Sequence, residues 1–133
     1  MNTDYLKDFV PYEQALALKE LGFDEKCFGY FGVENELMVS VSWNSDFNLQ
    51  RRNFISAPLF QQAFRWFREK HNIDAWVQPF VSEKHGKPFL PDESYAYYIF
   101  EDGVYVADGV NFLDSEEAEL ECLNKLIKIA KNK

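Results

Sequence analysis

Apolar residues recur at helical spacing in three stretches of the chain and at strand spacing between them. The first helical stretch opens at Pro11, whose fixed φ and missing N–H suit a first turn, and closes at Gly22 after Leu21, the usual left-handed stop. A helix over 11–21 is therefore predicted. Residues 27–31 (CFGYF) and 37–43 (LMVSVSW) flank the polar turn Gly32-Val33-Glu34-Asn35, and Leu37, Val39, Val41 and Trp43 alternate with Met38, Ser40 and Ser42. That alternation predicts a hairpin with one buried face. Residues 44–55 follow neither period, contain the adjacent pair Arg51 and Arg52, and are read as a loop.

The strongest helical pattern lies in 56–72 (SAPLFQQAFRWFREKHN), with Ser56 as the expected N-cap and Pro58 in the first turn. At 100° per residue, Leu59, Phe60, Ala63, Phe64, Trp66 and Phe67 fall on one arc about 160° wide, and Gln61, Gln62, Arg65, Arg68 and Glu69 lie opposite. Residues 73–81 (IDAWVQPFV) read as a strand in which Pro79 demands an edge, a bulge or the strand end. Residues 82–93 read as a long loop. The dipeptide Asp102-Gly103 accepts the positive φ values of a two-residue hairpin turn, which predicts strands over 94–101 and 104–107. Asp114 and Glu117 have the spacing of a capping box and open a last helix that runs to about Lys131. Its apolar residues, from Ala118 to Ala130, span about 200°, wide enough to need covering on most sides. The expected order is αββαβββα: an α+β fold, one antiparallel sheet of about five strands with the helices on one face. No repeat or linker divides residues 1–133, so a single domain is expected.

Composition narrows the class. A chain of 133 residues can bury about two-thirds of its unfolded surface. Its 47% hydrophobic and 17% aromatic content, with 6 Gly and 5 Pro, excludes disordered and collagen-like classes. Fourteen Lys+Arg against 22 Asp+Glu leave a net charge of -8, which opposes binding to duplex nucleic acid or anionic membrane. No apolar run approaches the roughly 20 residues needed to cross a bilayer. The opening MNTDYLKDF is acidic and lacks the apolar core of a secretory signal, so a cytoplasmic setting is expected. Cys27 and Cys122 lie far apart without zinc spacing and are expected as reduced thiols.

Candidate chemistry is sparse. His71 falls at a helix end, where a cation complements the dipole, and His85 lies in the polar sequence K-H-G-K; neither has a catalytic partner nearby in sequence. Cys122 lies on an apolar helical arc, and Cys27 sits beside Lys26 at a strand start; both read as buried structural thiols. G-x-S-x-G, H-E-x-x-H, G-x-x-x-x-G-K-[ST] and G-x-G-x-x-G are all missing. The residues thus nominate no catalytic group, metal ligand or cofactor.

Two surface features stand out instead. From Pro88 to Asn124 there are 37 residues with ten acids and no base, followed by four lysines in the last nine. Part of this run complements the dipole of the last helix. The remainder, Asp92, Glu93, Glu101, Asp102 and Asp108, is a candidate docking surface for a basic partner. Aromatics supply the second feature, with Tyr95, Tyr97 and Tyr98 on both faces of one strand. If the two long loops converge, Arg51, Arg52, Lys84, His85 and Lys87 form a cationic rim beside Trp76 and Tyr97, suited to a nucleotide-like anion.

Three stretches, VPYEQALALKELGFDEKCFGY, SAPLFQQAFRWFREKHNI and EEAELECLNKLIKI, resemble a family of small proteins without assigned function from gut-type bacteria, their phages and mobile elements. The resemblance covers about 40% of the chain, coincides with helices and core, and implies a shared fold and a bacterial or phage accessory protein. It supplies no site residues. The leading expectation is a non-enzymatic interaction module that binds a protein partner through acidic and aromatic surfaces. A small-anion binder and an enzyme without a local motif are the alternatives. Oligomeric state is left open.

Overall fold

The structure, a computed structural model, describes residues 4–40, 44–50, 53–91 and 94–133. A 3-10 turn, Asp4–Asp8, precedes α1, Tyr12–Glu20. Pro11 occupies its N-cap position, and Gly22, at φ 97°, follows its end as the sequence predicts. The strands β1, Gly29–Phe31, and β2, Leu37–Val39, form the expected hairpin. Val41 and Trp43, placed on that strand by alternation, lie outside the described residues.

The segment expected as a loop contains two elements: a one-turn helix α2, Phe47–Gln50, and a strand β3, Ile55–Ala57, which pairs antiparallel with β1. The first sheet is therefore β2-β1-β3. Ser56 is not a helix cap. It lies buried in β3, where its hydroxyl accepts from Asn48 N at 3.1 Å while its own N–H donates to Asn48 Oδ1 at 2.9 Å. A three-residue strand buried at every position shows no alternation, which is why periodicity misses it.

Helix α3, Phe60–His71, starts after Leu59, which has no side-chain cap bond and is 37% exposed rather than in the core. The rest of its predicted arc holds: Phe60, Ala63, Phe64, Trp66 and Phe67 are buried. Asn72 ends the helix in the left-handed region at φ 55°. Its carbonyl accepts from Asp102 N at 3.1 Å, and its side-chain amide donates to the Asp102 carboxylate, which ties this end of α3 to the following hairpin turn.

Three further strands form the second sheet, in order β4-β7-β8: β4, Ile73–Pro79; β7, Tyr95–Glu101; and β8, Val104–Phe112. Pro79 terminates an edge strand, as its missing N–H requires. Strand β8 outruns the predicted 104–107 because irregularities, one at Val106, keep it paired with β7 as far as Phe112. Residues 82–93, expected as a loop, contain a separate hairpin of β5, Ser82–Lys84, and β6, Lys87–Phe89. His85 and Gly86 turn it with φ 54° and 74°, the pair of left-handed residues a tight hairpin needs. Among the described residues, eight strands in three small antiparallel sheets thus replace the single sheet of about five, and the class remains α+β.

Helix α4, Ser115–Lys131, is capped by Asp114, whose carboxylate accepts from Glu117 N at 2.8 Å, while Glu117 accepts from Leu113 N at 3.3 Å. It packs across β4, β7 and β8 and against α3 and α1. Buried residues from both sheets and all three longer helices join in one hydrophobic cluster, including Leu18, Phe31, Phe64, Ile99 and Leu126. No helix among the described residues is long and apolar enough to cross a membrane.

Candidate functional site

Directly opposed residues of an antiparallel pair project to the same side of a sheet. On one side of β4-β7-β8 the rows are Ile73/Glu101/Val104, Ala75/Ile99/Ala107 and Val77/Tyr97/Gly109. Ile73, Ile99 and Tyr97 are buried there with Cys122, Leu123 and Leu126 of α4. Gly109 is required opposite Tyr97, because a Cβ at that position would lie 2.9 Å from the ring carbon Cζ.

The other side carries the rows Asp74/Phe100/Tyr105 and Trp76/Tyr98/Asp108. Trp76 and Phe100 stack with ring centroids 5.6 Å apart and planes at 6°. Tyr98 lies 5.7 Å from Trp76, and Tyr105 meets Phe100 edge-on at 5.9 Å. These rings cover one another yet stay open to solvent, with Trp76 41% and Tyr105 54% exposed. The Trp76 indole donates to Gln78 Oε1 at 3.0 Å, which fixes the ring's orientation. Desolvation first, then the Asp108 carboxylate, pushes the Tyr105 phenol above its usual range. Arg68, Asp74, Trp76 and Phe100 line an open depression of about 410 Å³ at one end of this face. The arrangement offers π faces and carboxylates side by side, the combination that attracts cations and amphipathic cationic chains.

The residues nominated from sequence scatter relative to this face. Trp76 and Asp108 lie on it. Tyr97 lies on the opposite side and is 8% exposed, so it cannot join Trp76 in stacking on one ring. Glu101 also belongs to the opposite side and is bound by Lys133 at 2.6 Å. Asp102 is committed to the turn through Asn72. Lys84, His85 and Lys87 sit exposed at the tip of the β5–β6 hairpin. Arg51, Arg52, Asp92 and Glu93 lie outside the described residues. Tyr98, named from sequence as part of the aromatic surface, lies on this face, whereas Asp74, Phe100 and Tyr105 carry no sequence expectation. The signal for Asp74 was present in the alternation of Asp74, Trp76 and Gln78 with Ile73, Ala75 and Val77.

Polar groups gather at one other place. Cys27 Sγ lies 3.5 Å from Glu25 O and 3.7 Å from Gln62 Oε1, and Asp46 Oδ1 accepts from Asn48 N at 3.1 Å. Burial first, then the Asp46 and Glu25 carboxylates, push the Cys27 thiol up to about 12. Cys122 is likewise pushed up to about 12, by burial and then Glu119. A nucleophile needs the reverse environment. Both thiols should therefore resist an aromatic disulfide reagent at pH 8 in the native protein and react stoichiometrically in denaturant; rapid labelling of native Cys122 would contradict this. His71 packs against Trp66 and Phe67 at the end of α3 and takes no part in the Cys27 hydrogen bonds. Among the described residues no group of three or more His, Cys, Asp or Glu side chains could hold a metal ion. No protein-family model, curated protein or solved structure matches the chain.

Proposed function

We propose that this protein is a non-enzymatic interaction module whose docking surface is the uncovered face of β4-β7-β8, and that its partner is a protein presenting a cationic segment. One observation carries the reading: four aromatic rings and two carboxylates share two cross-strand rows, separated by the irregularity at Val106, on a sheet face that α4 leaves uncovered. Aromatic side chains bring large contact area at small entropic cost, and protein interfaces favour them at their centres. Asp74 and Asp108 stand at opposite edges of these rows, on β4 and β8, so a bound segment meets a carboxylate on either side of the rings. The two carboxylates select locally for a cationic segment over an acidic or neutral one.

The test is titration of the full chain with extended peptides that alternate Lys or Arg with apolar residues, followed by calorimetry and by the Trp76 indole resonance. Trp76→Ala combined with Tyr98→Ala should weaken binding by about tenfold or more, since central aromatic anchors dominate such contacts. The melting temperature should move little, because Trp76 is already substantially exposed. Unchanged affinity in that variant, or no binding by the parent protein, would remove the reading.

A further inference from the structure

The β5–β6 hairpin has a surface that its own chain does not cover. Its strands pair only with each other, and every residue from Glu83 to Leu90 is exposed. An isolated two-stranded hairpin is marginal in water, so this one gains from a surface to lie on. Its register places Lys84 directly opposite Lys87 and Ser82 directly opposite Phe89, on one face, with Glu83 and Pro88 on the other. Like charges placed directly opposite destabilise a strand pair unless an anion sits between them. Neither lysine forms an ion pair with a described residue.

The two faces are complementary. Two ammonium groups and a phenyl ring project from the hairpin; two carboxylates and four aromatic rings project from the sheet, with Arg68 of α3 beside the Asp74 end. The hairpin leaves the sheet at Pro79 and returns near Tyr95, and its exposure shows that it does not fold back over its own rings. Three residue pairs give the hairpin a length of about 10 Å. In a two-fold arrangement each copy would give an arm and receive one, so two equivalent contacts form and the assembly closes.

We propose that the aromatic-acidic face of β4-β7-β8 receives the β5–β6 hairpin of a second copy of this chain, in a reciprocal arm exchange held by Lys84 and Lys87 against Asp74 and Asp108. This rests on the reading of that face as a protein-docking surface and names its occupant.

Sedimentation equilibrium on the full chain over a concentration series tests it. The parent protein should form a dimer as its concentration is raised. Lys84→Glu with Lys87→Glu should be monomeric, and so should Asp74→Lys with Asp108→Lys. Mixing these two variants should restore a dimer, because each arm then meets a face of opposite charge. The quadruple variant should dimerise alone for the same reason. A parent protein that stays monomeric throughout, or variants that dimerise like the parent, would overturn the arm exchange. If the monomeric parent still binds basic peptides through Trp76 and Tyr98, the arm exchange falls and the docking surface stands; if peptide binding is missing too, both fall.

Discussion

Replacing Phe64 by Ala should lower the stability of this protein by about 3–5 kcal/mol, whereas replacing Arg65 by Ala should change it by about 1 kcal/mol or less. Phe64 is 4% exposed, on the apolar face of α3 within the shared cluster, with Phe60 at a ring distance of 6.4 Å. Truncation removes buried apolar surface and leaves a cavity that close-packed neighbours fill only in part. Arg65 lies on the opposite face, 53% exposed, and its 3.5 Å ion pair with Glu25 is screened by water. Since a domain is typically stable by only about 5–15 kcal/mol, the first substitution takes a large share of the total. Urea melts of the two variants measure the contrast. A loss below about 1 kcal/mol for Phe64→Ala would place that ring outside the core.

Alkali should unfold the protein through its two buried thiols. Each is pushed from 9.0 to about 12, so between those limits the unfolded chain has lost a thiol proton that the folded chain retains. Stability is fully present below the unfolded value and falls as pH rises through this window, because the folded state binds the proton more tightly. Three units correspond to about 4 kcal/mol per thiol by pH 12, and about half of that is lost by pH 10.5. A Cys27→Ala, Cys122→Ala variant should show a flatter decline between pH 9 and 10.5 in urea melts, even with a lower starting stability from lost packing. Parallel declines in parent and variant would show that the thiols do not drive the loss.

Sequence patterns located the elements that carry their own instructions. The apolar arc of α3, the Asp114 cap of α4 and the Asp102-Gly103 turn each depend on residues within a few positions, and each appears where those residues place it. Two kinds of element escaped. Strand β3 is too short to alternate, and its pairing with β1 depends on residues roughly 25 positions away. The β5–β6 hairpin was hidden by His85 in a left-handed position usually filled by Asn, Asp or Gly, and by Pro88 in a strand that no further strand needs to join.

The candidate face divides along the same line. Sequence by itself determined the alternation that sorts Asp74 and Trp76 from Ile73 and Ala75, the abundance of aromatics, and the acidity of the segment that includes Asp108. Tertiary structure decided the cross-strand register that sets Trp76 beside Tyr98 and Phe100 beside Tyr105, and which side of that sheet α4 covers. It turned Tyr97 inward with the core and left Trp76 outside, although each is an aromatic residue near the middle of a seven-residue strand. The physical reason is that backbone geometry fixes which side chains share a face, whereas burial of one face is fixed by where a helix from a distant part of the chain gains the most apolar contact.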